Sequence, residues 1–455
     1  MPNCSCDRMY EELIMRARFQ KLLGTIEETF WLLPGAMVCC GVAGAFALIA
    51  VDRGGRLPKS ILEGPWLYNG GGTGARTLLG AVASSTIGVA GTVFSITIAA
   101  LSLAANQMGP RLLRNFVRDR GNQFTLGTFL ATFAYALMVL RSVRSQSEGE
   151  FVPHLSLTVA IALALICVAT LVYFVGHMAG RINVDVVIEL VSDDVSSAIK
   201  RLTSDERGPA PPPAVFWRGA TVVTDSRRGY LQQLDEAGLA DWARDHHTHI
   251  RLLVRPGHYV FPGAPVALMV PEAPGAAAAI RGATALGTQR AGFADLEFAV
   301  SHLVEVAVRA LSPGINDPHT AMGVLDRLGS SLCDIVHVHL HGGVTEREGE
   351  TRLVVPATDY DGLTDRMFHL IRQNAAGSAA VLIRMLEVLT AVVSCESDAQ
   401  RVASLRRHAD LVLGDGERDI PTAADRNDLR EFHVRFTTMA LGGPIRVLLA
   451  QSGSV

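Results

Sequence analysis

LLGAVASSTIGVAGTVFSITIAALSLAAN, residues 78–106, is the stretch whose reading decides the fold. No ionisable side chain stands between Arg76 and Arg111. In a soluble protein, water would have to solvate this run without one charge to help. A bilayer core about 30 Å thick is crossed by roughly 20 apolar helical residues. At about 1.5 Å per residue this run reaches roughly 40 Å. The segment is therefore predicted to be a transmembrane helix with length to spare.

Its composition is as telling as its length. Ser84, Gly88, Gly91, Ser95 and Ser102 fall near one helical stripe, with Ser85, Thr92, Ala99 and Asn106 beside it. Val82, Val89, Val93, Ile96, Leu101 and Leu103 occupy the other side. Small residues at spacings of three and four let a second helix approach closely in lipid, where hydrophobicity alone gives no reason to associate. The same stripe would also suit the wall of a wet pore, although tight helix packing is the commoner use. Ser84, Gly88, Gly91, Thr92, Ser95, Ser102 and Asn106 are the expected pore or helix-packing positions.

Working outward, three more uncharged runs stand at Phe30–Val51, Phe124–Leu140 and Leu155–Val175, which makes four spans. The first begins too far in and is too long for a cleaved signal peptide. Residues 1–29 are a polar N-terminal segment, and 52–77 read as a Gly- and Pro-rich loop touching the membrane through Trp66 and Tyr68. Gly109-Pro110 breaks the second span. PRLLRNFVRDRGNQ, residues 110–123, then places Leu112, Leu113, Phe116 and Val117 opposite Arg111, Arg114 and Arg118. That is the pattern of a short interfacial helix, its arginines a collar toward anionic lipid headgroups. The N-terminal segment and residues 107–123 each carry four basic residues, whereas 144–154 holds one arginine against two glutamates. Residues 52–77 also carry four, but the balance favours both termini inside, in a bacterial inner membrane.

Charged residues are only 19% of the 455, the net charge is −3, and the mean hydropathy is positive. This balance makes no case for nucleic-acid binding. Lysine stands only at positions 21, 59 and 200, which excludes a Schiff-base lysine or a GxxxxGK loop in the C-terminal half. The seven cysteines are odd in number and form no CxxC pair, so they read as free thiols rather than a disulfide or zinc framework. No cofactor and no metal are expected.

After the fourth span, 179–214 read as a connecting helix and the Pro-rich linker TSDERGPAPPPA, residues 203–214. Residues 215–271 change to short β-branched and aromatic runs punctuated by Arg-Gly and Pro-Gly, a small β-rich module. Its glycines and turns are similar to the biotinyl/lipoyl carrier half-barrel, in shape only, since no lysine is present to be modified. Residues 272–455 read as helical α+β: an irregular Ala/Gly-rich opening to 291, a helix over 294–311, another from Pro318, strands at Val336–Leu340 and Thr351–Val355, and helices over 363–395, 398–413 and 425–439. The fold class is thus an α-helical membrane domain of four transmembrane helices (30–178) plus a cytoplasmic α+β domain containing a small β-rich module.

RALSPGINDPHTAMGVLDRL, residues 309–328, is the most idiosyncratic local sequence. Ser312-Pro313-Gly314 ends one helix, and Asn316-Asp317-Pro318 begins the next with Asp317 as N-cap. Glu297, His302, Glu305, Arg309, Asn316, Asp317, His319 and Asp326 make a polar set around that corner. A general acid/base pair or a carboxylate metal site could be built from them, but capping and salt bridges are the commoner use. His337, His339 and His341 alternate as on one strand face, and His246, His247 and His249 stand near Asp245. Both groups read as solvated.

SPGINDPHTA, the upstream LVEVAVRA, the run from Thr92 to Val143, GYLQQLD, RPGHYVFPG and IRQNAAG together resemble the bacterial predicted membrane proteins of domain of unknown function 2254. The resemblance covers nearly the whole chain. It implies four membrane helices and a cytoplasmic C-terminal half, with no activity to carry over. The histidine alternation at 337–341 is not part of that pattern.

The leading functional expectation is a homo-oligomeric ion channel or channel-like transporter with a cytoplasmic regulatory domain. A small-residue span, a Gly-Pro break, an arginine collar favouring anions and a β-rich module resemble small-conductance mechanosensitive channels in arrangement. The alternatives are a membrane-anchored sensor or scaffold binding a ligand or partner, and a membrane-tethered enzyme using the 297–326 polar set. No nucleophile–base pair or cofactor fingerprint supports the last.

Overall fold

A computed structural model describes residues 30–54, 68, 70–108, 119–144, 151–181, 184–290 and 296–451. The chain divides into two compact units, one within Leu23–Asn183 and one within Val184–Val455.

The first unit consists of α1 (Leu32–Arg53), α2 (Gly72–Met108), α3 (Arg120–Ser142) and α4 (His154–Arg181). All four are long and apolar enough to cross a membrane. Helix α2 starts six residues before the uncharged run, so the expected 52–77 loop is shorter. Arg76 lies in that extension, its guanidinium donating to the Val143 carbonyl at 3.0 Å. The arginine collar, residues 110–118 of the expected interfacial helix, residues 1–29 and Trp66 lie outside the described residues, while Arg120–Gln123 form the first turn of α3 behind an Asp119 cap.

Helix α3 is the centre of this bundle: 56% of its apolar window is buried, against 28% or less for the other three. Glycines bring the axes close. A Cβ on Gly41 of α1 would stand 2.8 Å from the Ala131 carbonyl oxygen, and one on Gly127 would stand 2.5 Å from Met37 Sδ. Buried Thr125, Thr128 and Thr132 each donate to a carbonyl four residues back, which satisfies their hydroxyls inside the apolar core. At the α1/α4 end, Asp52 accepts from the Leu155 and Ser156 amides at 3.2 and 3.0 Å. A carboxylate placed there satisfies two otherwise orphaned donors at the start of α4.

The second unit opens with α5 (Val184–Leu202), which packs on α8 (Leu296–Ala310) and α9 (Pro318–Cys333). A five-stranded sheet runs in the order β2 (Thr221–Thr224), β6 (Pro265–Val270), β4 (His249–Leu252), β10 (Glu350–Val354), β9 (Val344–Arg347). Only the β10/β4 pairing is parallel. A second sheet has β3 (Gly229–Leu234) between β5 (Tyr259–Val260) and β7 (Thr284–Gly287). Helix α6 (Glu236–Asp245) and α7 (Ala276–Ala283) cover a core that includes Leu231, Ile250, Leu252, Ala267, Ile280 and Leu353.

Three local expectations change here. The Ala-rich stretch after residue 272 is ordered, as α7 and β7, because AAAAIRGA carries the residue with the best helix propensity. The hairpin lies at 344–354 rather than 336–355. Glu348 and Gly349 both take positive φ (56° and 77°), the two-residue turn that matches strand twist. Of 336–340 only His339–Leu340 is strand (β8), paired with β1 (Thr203–Ser204) inside the expected linker.

Helices α10 (Tyr360–Asn374), α11 (Ala379–Cys395), α12 (Ala399–Asp419) and α13 (Ala423–Gln451) complete the unit. Gly377 at φ 81° separates α10 from α11 within what reads as one apolar run. Helix α10 packs on α8 and α12, and α11 packs on α9, α12 and α13.

Candidate functional site

The second span has two opposite faces. Ala75, Leu79, Ala83, Thr86, Ala90, Val93 and Ala100 are buried, recurring every three or four residues as one stripe toward the bundle. Ser84, Ser85, Gly88, Gly91, Thr92, Ser95, Ala99 and Ser102 are exposed on the side directly opposite. An added Cβ at Gly80, Gly88 or Gly91 would meet nothing within 4 Å. The hydroxyls turn inward: Ser84 donates to Gly80 O at 2.7 Å, Thr92 to Gly88 O at 3.2 Å and Ser95 to Gly91 O at 2.9 Å. Ile87, Phe94, Ile96 and Ile98 flank the stripe as exposed bulky groups. Asn106 lies in the last turn of the same helix.

The polar set around 297–326 does not form one cluster. Glu297 stands in the first turn of α8, roughly 12 Å along the helix from Glu305. It pairs instead with Arg255 at 2.5 Å and Arg366 at 3.4 Å, with Thr358 beside it at 3.3 Å. Burial alone would raise its carboxyl pKa, but the hydrogen bond and charge of Arg255, followed by Arg366, hold it below the ordinary range. Glu305 and Arg309 are 3.7 Å apart, one turn apart on α8. Asn316 is exposed at φ 48°. Asp317 caps α9, accepting from the Thr320 amide at 3.1 Å and its hydroxyl at 2.6 Å. His319 is exposed, and Asp326 pairs with Arg384 at 2.8 Å.

Two adjoining cavities of about 390 and 710 Å³ share Leu340, His341, Gly342 and the 355–358 segment. The smaller holds Glu236 and Arg255; the larger adds Arg207, Arg251, His339, Asp359 and Asp398. Burial pushes the Glu236 carboxyl pKa up. His339 and His341 therefore line a cavity, while His337 is exposed in a turn. His249 is a strand residue whose Nδ1 lies 2.5 Å from the Thr351 carbonyl oxygen.

The four apolar helices agree with a family comparison. The chain matches the family described as Predicted membrane protein (DUF2254) over residues 27–391. It belongs to that family. Relatives similar to it include an uncharacterized protein of Mycobacterium tuberculosis (strain H37Rv) and one of Mycobacterium bovis. Each is 28% identical over 430 residues, covering 90% of this chain and 81% of the relative. No solved structure matches the chain. This DUF2254 member is a membrane protein whose family description carries no activity.

One group of side chains able to hold a metal is absent from the sequence reading. Asp365, His369 and His408 meet with their ligand atoms within 4.8 Å of one another. Asp365 and His369 carry a signal, the i,i+4 spacing on a helix. His408 carries none, since nothing local announces that α12 docks there.

Proposed function

We propose that this protein is a homo-oligomeric, channel-type membrane protein assembled through the exposed small-residue face of α2. The observation that supports the reading is the direction of that face, which points away from the other three helices. Lipid chains gain little dispersion contact from glycine and serine, whereas another helix gains close backbone approach. The glycines at 41 and 127 are used by neighbours within the chain; those at 80, 88 and 91 are open to a neighbour from another copy. Ser84, Ser95 and Ser102 give the shared axis a weakly polar lining that a hydrated path tolerates.

In this reading the protein lies in the bacterial inner membrane with both termini and the second unit cytoplasmic. Arg111, Arg114 and Arg118 then meet anionic headgroups and the inner mouth, favouring anions. Gly88→Leu and Gly91→Leu should reduce the oligomer to smaller species by native mass spectrometry. In planar bilayers the wild type should conduct, and Ser95→Asp should shift selectivity toward cations. An oligomer without conductance in either protein, across voltage and tension, would leave assembly standing and remove the channel.

A second reading, a membrane-anchored sensor, is favoured by the cavities beside β8. Arg207, Arg251, His339 and His341 offer several donors to an anionic ligand. Raised thermal stability with an anionic small molecule, lost in Arg251→Ala, would support it. The enzyme reading has the least support, because Glu297 lies apart from the corner's other polar groups.

A further inference from the structure

Asp365 and His369 stand four residues apart on one face of α10, against His408 of α12. Asp365 Oδ1 lies 3.1 Å from His369 Nε2 and 3.1 Å from His408 Nε2. Around a tetrahedral ion with bonds near 2.0–2.1 Å, neighbouring ligand atoms are about 3.3 Å apart. His408 is fully buried; its Nδ1 has no hydrogen-bond partner, and its Nε2 stands 3.1 Å from Asp365 Oδ1 without hydrogen-bond geometry. His369 Nδ1 is also buried without a partner. Native interiors rarely leave such groups unsatisfied, and each instance asks for an explanation.

We propose that Asp365, His369 and His408 form a binding site for one divalent transition-metal ion of the zinc class. Two imidazole nitrogens with one carboxylate suit zinc, cobalt, nickel or iron(II), whereas magnesium and calcium favour all-oxygen sets. The Asp365 and His369 side chains are 39% and 33% exposed, which leaves a route for the ion and a place for a water ligand. The surrounding charges are Arg407, 2.5 Å from Asp365 Oδ1, and buried Arg372, which pairs with Asp415. Arg407 competes with the ion for the carboxylate. Its side chain is 42% exposed and free to swing into solvent.

The test is metal titration of the full-length protein in detergent after stripping with a chelator. One equivalent of cobalt(II) should bind with the visible absorption of a four-coordinate ion, and zinc should displace it. His369→Ala and Asp365→Asn, checked by circular dichroism for intact fold, should weaken zinc binding more than about 100-fold, since even supporting residues of a metal site are worth about 10–100-fold. Arg407→Gln should tighten it, a result that a purely structural Asp–His–Arg cluster would not produce. Wild-type protein that takes up no stoichiometric metal overturns the proposal. So does uptake unchanged in His369→Ala and Asp365→Asn, which would place the ion at other histidines such as His339 and His341.

Discussion

Asp317 caps α9 with both carboxylate oxygens, one on the Thr320 amide and one on its hydroxyl, and Pro318 occupies the first helical position. Asparagine caps a helix about as well as aspartate does. Asp317→Asn should therefore leave the melting temperature nearly unchanged, while Asp317→Ala should cost about 1 kcal/mol in denaturant unfolding. Loss of function in Asp317→Asn with assembly intact would show that the charge itself matters. Glu297 is the opposite case, an anion whose partners come from Arg255 and Arg366. Its pKa is lower folded than unfolded. Ionised Glu297 thus adds stability that is complete above the unfolded value of about 4.3 and fades as pH falls through the folded one. Glu297→Gln should lose on the order of 3 kcal/mol near pH 7, and the gap from wild type should begin to narrow as pH falls past about 4.3 and close only below the lower, folded pKa. A gap independent of pH would mean that the ion pair is not its source. The sequence marks Asp317 as a cap because the signal is local; it hides Glu297's partners, which lie 42 and 69 residues away.

At the scale of the element, glycine in a membrane helix does two different things in this chain. Gly41 admits the α3 backbone, so Gly41→Leu should destabilise the bundle itself by about 1–3 kcal/mol through overpacking. Gly88 faces outward, so Gly88→Leu should leave the unfolding of the single chain nearly unchanged and act on assembly. Thermal unfolding and oligomer mass, measured on both variants, separate the two roles. Equal destabilisation in the two would place Gly88 against its own chain. Both positions look alike in the sequence, as glycines within apolar runs, because a run of period 3.6 shows which residues share a face and not what that face meets.

At the scale of the whole molecule, the sheet of the second unit is assembled from distant parts. Strand β10 lies about 100 residues after β4 yet pairs beside it, and Leu353 is fully buried in the core built by residues 223–283. A fragment of residues 215–271 should therefore show no cooperative unfolding and poor amide dispersion by NMR, because β4 loses its β10 neighbour, β3 loses β7, and part of the core is missing. Residues 184–451 hold every strand of both sheets, so a well-dispersed 215–271 fragment would contradict the dependence on β10. The sequence alone determined the four apolar helices, since a charge-free run of some 20 residues has few other solvents to suit it. It also determined the Asp317 cap and the absence of any carrier lysine, for these are properties of single residues and their neighbours. Tertiary structure alone decided which face of α2 is left open, that 344–354 completes the sheet, and that Asp365, His369 and His408 meet. Those outcomes depend on which surfaces dock, and docking is a sum over contacts between segments whose spacing along the chain carries no signal.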